Sequence, residues 1–221
     1  MHRLHRNSQK RFYDEGAVYF ITTVTHERYP YFREPILAEL FILNLWFAKN
    51  LKQFALYGYT VLPNHVHLLV QPSEKANYSE AMGSLKRNTA RDINDILVGK
   101  SLIRTIAGGD SNPRLRSLDV LRANYEITKR DHPHLHFDTY ATHFRGIEKL
   151  RKQFVRKHGK NHSFPRFRWQ PSFRDHMIRD ERDYLHHLEY IHGNALKHGL
   201  VNNPEDYLYM WVEGMLERIF P

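Results

Sequence analysis

Residues 61–70 read VLPNHVHLLV, and the fold turns on how that stretch is divided. Its first two residues close an apolar, β-branched and aromatic run over 54–62 (FALYGYTVL), which predicts a strand. Pro63 and Asn64 form a turn signal, and 65–70 (HVHLLV) predicts a second strand. So short a connection makes the two an antiparallel pair. Alternation along the second strand places His65 and His67 on one face and Val66 on the other. Two imidazoles converging on one face can bind a divalent ion such as Mg²⁺, Mn²⁺ or a softer metal. Spacing alone is met equally by an exposed strand with two solvated histidines, because short motifs often match by chance.

Outward from this pair, 17–25 (AVYFITTVT) predicts an earlier strand buried on at least one face. Between them, 36–50 places Leu37, Leu40, Phe41, Leu43 and Phe47 at helical spacing, with Pro35 just before. After the histidines, 79–98 predicts a helix with Ser79 as N-cap and an apolar side of Met82, Leu85, Ile93, Ile96 and Leu97. Its other side carries Lys86, Arg87 and Arg91 as a basic stripe. Periodicity fades over about 99–142, which reads as an insertion of mixed short elements. A basic amphipathic helix is expected over 146–158, then a loop leading into a short strand, then a helix over 181–198. Strand, helix, strand, strand, helix, with a later strand and helix, suits an α+β fold. The expected form is a ferredoxin-like or RRM-like antiparallel sheet with helices packed on it, in one domain over 1–221.

Composition narrows the chemistry. The chain has 221 residues, with 33 Lys and Arg against 24 Asp and Glu, so its formal charge is +9. At 41% hydrophobic it can build a core, which excludes wholesale disorder. The absence of cysteine excludes a disulfide framework, a zinc ribbon, a thiol nucleophile and an iron–sulfur cluster. A metal would therefore be held by histidine, carboxylate or amide ligands. No window approaches 18 consecutive apolar residues, and the basic start at 1–12 leads into no apolar signal core. A cytoplasmic, nucleoid-associated protein with no membrane partner is expected. The charge points to an anionic partner, nucleic acid being the commonest, although a merely solvated basic surface has the same composition.

The string VLPNHVHLLV resembles the metal-binding strand of the HUH nucleases, in which two histidines separated by one hydrophobic residue bind a divalent ion. Within them the chain is most similar to the single-tyrosine transposases of insertion sequences and, more closely, to the REP-associated tyrosine transposases. The resemblance also takes in YFITTVT, GSLKRN and the block WQPSFRDHMIRDERDYLHHLEYIHGNALKHGL. In that block the Trp-Gln, Phe-x-Asp-His, Arg-Asp and Tyr-Ile-x-x-Asn elements follow the family's order.

Tyr190 and Asn194 are four apart on the last expected helix and so share a face. The resemblance implies that Tyr190 is the nucleophile and that Asn194 joins His65 and His67 around Mg²⁺ or Mn²⁺. Where the family usually continues Asn-Pro, Ala195 follows Asn194, which alters the capping pattern and removes no ligand. Tyr184 is a competing tyrosine, on another face and with Leu188 four residues later. His186, His187, His192 and His198 could donate to phosphate or act on leaving-group protons, but a helix aims only one face at a site.

The activity so implied is metal-dependent cleavage and strand transfer of single-stranded DNA near hairpins of palindromic repeats, through a 5′-phosphotyrosine intermediate. The lack of a GxxxxGK[ST] string fits a reaction that conserves bond energy in the covalent link. Phosphates would be tracked by Lys86, Arg87, Arg91, Arg145, Lys149, Arg151, Lys152, Arg156 and Lys157. Arg166, Arg168, Trp169, Phe173 and Arg174 interleave aromatic rings with charge, a pattern that stacks splayed bases. The resemblance leaves monomer and homodimer both open. It also leaves open a catalytically silent, domesticated hairpin-binding protein, which the intact His65, His67, Tyr190 and Asn194 argue against.

Overall fold

The computed structural model describes residues 14, 16–74, 76–99, 113–159 and 162–214. The basic start at 1–12 and residues 100–112 of the expected insertion lie outside them. The elements in order are β1 (Tyr19–Val24), α1 (Pro35–Lys52), β2 (Ala55–Leu62), β3 (His65–Gln71), α2 (Tyr78–Leu97), α3 (Pro113–Asp131), α4 (Phe137–His158), β4 (Arg174–Met177), α5 (Glu181–Lys197) and β5 (Met210–Val212). They form two compact units, one from 1–30, 53–82 and 168–221, the other from 31–52 and 83–167.

The first unit holds a five-stranded sheet in the order β4-β1-β3-β2-β5, antiparallel at every pairing. Its first four strands have the ferredoxin-like order, so the expected α+β architecture is present, with β5 added at the far edge. Register sets the site: β3 is central, with Thr22 and Thr60 flanking His67 and with Val24 and Leu62 flanking His65. The Pro63-Asn64 turn joins β2 to β3 as the sequence indicates. Helix α5 packs Leu188 and Ile191 against Leu69 and Val212, with Phe20, Tyr57 and Tyr184 around them. Gly58 permits that approach: a Cβ there would lie 3.3 Å from the Trp211 carbonyl and 3.5 Å from Ile191 Cδ1. A register irregularity between Leu56 and Gly58 falls at the same place.

Helix α5 begins where Asp180 accepts a hydrogen bond from the Asp183 N–H at 2.8 Å. It ends in a Schellman closure, with Gly199 at φ 64° and the Gly199 and Leu200 N–H groups donating to Leu196 and Ala195. The chain thus supplies with glycine the stop that an Asn-Pro pair would have signalled.

The second unit is helical. Helices α3 and α4 overturn the expectation of mixed short elements over 99–142: they run 19 and 22 residues. The sequence missed them because α3 is polar along most of its length. Among its described side chains, Leu121 and Tyr125 pack with Leu135 and Tyr140 and against Phe47 and Leu51 of α1. Glu34, buried at the start of α1, accepts from Lys157 at 2.9 Å and lies 2.7 Å from His158 Nε2. Burial opposes its ionisation, but these two partners together with the Ile36 N–H lower its pKa.

His143 on α4 is 5% exposed and stacks on Phe47 at 3.9 Å between ring centroids. Burial, and then the charge of Arg91, push its pKa down to about 3. Below pH 6.5 the unfolded chain therefore takes up a proton that the folded chain refuses, so stability falls as pH drops from 6.5 towards 3. The expected slope from this residue reaches about 1.4 kcal/mol per pH unit. Denaturant melts of the wild type and His143→Phe between pH 7 and 4 check this: the variant should lose less stability across the range.

Candidate functional site

The outward pleat of β3 presents His65, His67 and Leu69 to one face of the sheet, and α5 packs on that face. A helix repeats every 3.6 residues, so Asp183, His187, Tyr190, Asn194 and His198 fall along one stripe of α5. The imidazoles of His65 and His67 meet edge to face at 4.9 Å. Tyr190 stands edge-on to His67 at 5.2 Å, and His198 lies 5.5 Å from His65. Four residues chosen from the sequence, 125 or more positions apart in the case of His65 and Tyr190, are thus on two elements of one packed unit.

Hydrogen bonds fix how the two strand histidines face. His65 Nδ1 donates to Asn64 Oδ1 at 2.7 Å, which leaves its Nε2 with a lone pair. His67 Nδ1 bonds the Thr22 hydroxyl at 2.8 Å. His67 Nε2 is buried with no hydrogen-bond partner among the described residues, and so are both amide atoms of Asn194. Asn194 is 1% exposed. Buried polar atoms without partners are rare, and an amide with both ends unmet costs about 1–3 kcal/mol or more. A neutral imidazole and an amide oxygen are donors that suit a divalent ion. Burial is the first cause that holds His67 at about 3 and His65 at about 4, with the neighbouring His198 adding to both. Both rings are therefore neutral, the form in which imidazole coordinates a metal.

Tyr190 is half-buried, edge-on to Phe20 at 5.7 Å, with the Lys197 ammonium 5.4 Å from its ring centre. Tyr184 instead packs into the core beside Leu188 and meets Tyr57 edge-on at 5.6 Å. Sequence reasoning did not single out Phe20, which stacks on His67 at 5.2 Å and leans on His187 at 4.5 Å. Nor did it single out Asp183. That carboxylate, 7% exposed, accepts from His176 Nε2 at 2.8 Å, from the Arg179 N–H at 3.1 Å and from Arg179 Nε at 3.0 Å. The Arg179 hydrogen bond is the leading cause that holds its pKa well below the usual carboxylate range. Donor atoms of His176, Asp183 and His187 lie within 4.8 Å of one another, which an ion could also use. With three N–H donors already on one Asp183 oxygen, the cluster is a hydrogen-bonded network. Its one sequence signal was the Asp-His of the Phe-x-Asp-His element, whose meaning depends on β4 pairing beside β1.

The basic residues divide between the units. In the first, Arg168 and Arg174 are exposed, while Trp169 is buried and bridges to Thr25, so it offers little open ring surface for a base. In the second, Arg145, Lys149, Lys152 and Arg156 are exposed and recur along one stripe of α4. Arg151 is half-buried against Glu148 at 3.2 Å, and Lys157 is engaged by Glu34. On α2, Lys86 is half-buried, Arg87 is exposed, and Arg91 is exposed but bonded to the buried Asp92 at 2.8 Å. Among the described residues no helix is long and apolar enough to cross a membrane.

Comparison with known proteins bears on this arrangement. Residues 15–101, which include β1 to β3 and α2, match the family described as "Transposase IS200 like". A REP-associated tyrosine transposase of Escherichia coli (strain K12) is 37% identical over 70 residues, a match spanning 32% of this chain and 38% of that protein's length. A Haemophilus influenzae relative named for the same transposases is 24% identical over 210 residues, covering 92% of this chain and 84% of its own. A solved structure of a REP-associated tyrosine transposase bound to a REP hairpin is matched at a TM-score of 0.48 and 19% identity, over 96% of this chain and 85% of that one. Residues 15–101 are thus similar to the IS200-like transposases, and the chain as a whole is similar to REP-associated tyrosine transposases.

Proposed function

We propose that the protein is a metal-dependent endonuclease and strand transferase that acts on single-stranded DNA beside hairpins of palindromic repeats. The observation that carries this reading is the set of unmet buried ligand atoms, His67 Nε2 and the Asn194 amide, on elements that also hold Tyr190. Residues 1–221 then act as one transposase-like module with an insertion at about 99–142.

His65, His67 and Asn194 would hold Mg²⁺ or Mn²⁺, which when bound withdraws charge from the scissile phosphate and orients it. The chain's own residues do the rest. Tyr190 attacks phosphorus in line with the 3′ oxygen, forming a 5′-phosphotyrosine link and releasing a 3′-hydroxyl end. Phe20 and His67 both meet the tyrosine ring edge-on, which limits its motion before substrate arrives. Lys197 places a cation over a ring that gains negative charge as its proton leaves. Joining reverses the step, with an incoming 3′-hydroxyl displacing the tyrosine.

DNA is held by Lys86, Arg87 and Arg91 on α2, by Arg145, Lys149, Arg151 and Lys152 on α4, and by Arg168 and Arg174, whereas the buried Trp169 contributes little. The α4 stripe contributes most, because its side chains are exposed whereas Arg151 and Arg91 already have carboxylate partners. Replacing Arg145, Lys149 and Lys152 together by Gln is expected to weaken hairpin binding and to flatten the slope of log affinity against log salt by about one per charge removed. Filter binding from 50 to 300 mM salt reads both. The function itself is tested by incubating labelled hairpin-flanked single strands with Mn²⁺ or Mg²⁺: a covalent protein–DNA adduct supports it. Tight hairpin binding without adduct across a hairpin library overturns it in favour of a silent binding protein.

A further inference from the structure

Of the four histidines on α5 and its C-cap, His187 is hydrogen-bonded to a main-chain carbonyl and has a buried carboxylate beside it. His187 Nδ1 lies 2.8 Å from the Asp183 carbonyl oxygen and 3.3 Å from Asp183 Oδ1, one turn back on the same stripe. Both partners are acceptors, so Nδ1 carries the proton and Nε2 faces away from Asp183. Asp183 is itself pinned by His176 and Arg179, and the His176 ring stacks on His187 at 4.9 Å. His186 is exposed, and His198 sits beside the metal-ligand pair instead. A mere surface histidine needs no such support. A carboxylate that orients an imidazole and supplies its counter-charge is the arrangement by which enzymes prepare a proton carrier.

Position says which proton. His187 and Tyr190 are three apart on one helix face and share the ring of Phe20 as a neighbour, 4.5 Å from one and 5.7 Å from the other. In an in-line displacement the leaving oxygen is on the far side of phosphorus from the nucleophile, so its acid must stand apart from the tyrosine. An alkoxide leaving group needs a proton more than phenol needs to lose one, since the alcohol is much the weaker acid.

We propose, building on the function above, that His187 is the general acid for the leaving 3′ oxygen, with Asp183 as its positioning residue. In cleavage the Tyr190 oxygen–phosphorus bond forms, the phosphorus–O3′ bond breaks with its electron pair going to O3′, and the proton on His187 Nε2 passes to O3′. The Tyr190 proton is released to solvent and the imidazole is reprotonated from it. In joining, His187 Nε2 accepts the proton of the attacking 3′-hydroxyl.

The test compares two substrates, one ordinary and one with sulfur replacing the bridging 3′ oxygen at the scissile phosphate. A thiolate leaves without needing a proton. His187→Gln should slow adduct formation on the oxygen substrate by about 10²-fold or more, while cleaving the sulfur substrate within about threefold of wild type. Asp183→Asn, a second variant should the first melt early, should show the same pattern with a smaller loss. Rates are read where melting curves show each variant folded. Equal slowing on both substrates, or no slowing on the oxygen substrate, overturns the role of His187 and leaves the transposase reading standing. Failure of the wild type to form an adduct with either substrate overturns that reading and this role with it.

Discussion

Tyr190→Phe is expected to abolish the covalent protein–DNA adduct, by about four orders of magnitude or more, the scale on which deleting a nucleophile acts. The substitution removes one oxygen. The ring contacts with His67, Phe20 and Lys197 belong to the ring and survive it. Stability should therefore change by no more than about 0.5 kcal/mol. Hairpin affinity should also hold, because the exposed cations proposed to carry it lie on other residues. Three measurements on one variant separate the cases: adduct by denaturing gel, affinity by filter binding, and melting temperature. Loss of the first alone assigns the nucleophile. Persistence of adduct in Tyr190→Phe, with its loss in Tyr184→Phe, would move that role to a tyrosine now packed in the core.

The second large effect has an unusual sign. Asn194→Leu should stabilise the metal-free protein and remove its metal response. The native amide is 1% exposed with neither end bonded, and relieving one such group is worth about 1–3 kcal/mol. Leucine has the same branched, four-heavy-atom side chain and would sit beside apolar neighbours on the helix, Ile191 and Ala195, both buried. A rise of a few degrees in melting temperature is expected without metal. Mn²⁺ should raise the wild-type melting temperature, as any ligand of the folded state does, and should leave the variant's nearly unmoved. A structural asparagine predicts the reverse: a lower melting temperature and an unchanged metal shift.

Both expectations depend on burial, and burial is what a lone sequence conveys least. The sequence by itself determined the local parts. Alternation put His65 and His67 on one face, helical spacing put Tyr190 and Asn194 on another, and the Pro-Asn turn fixed the β2–β3 pair. These follow from the periods 2 and 3.6, which are properties of the backbone. The chain's cysteine-free, basic composition likewise limited a metal to His, carboxylate or amide ligands and pointed to an anionic partner.

Tertiary structure decided which faces meet. Only sheet order and register bring β4 beside β1, so that His176 reaches Asp183, and set Phe20 beside both His187 and Tyr190. Only packing shows that Trp169 is buried and that Arg151 and Lys157 are already engaged, whereas Arg145, Lys149 and Lys152 stand open. Strand β5 and helix α3 escaped the sequence for a related reason. Three residues are too few to show a period, and α3 intersperses its apolar residues with many charged ones, Leu121 and Tyr125 packing with Leu135 and Tyr140. Non-local contacts select among local possibilities, and the unmet atoms of His67 and Asn194 exist only once α5 has been laid across β3.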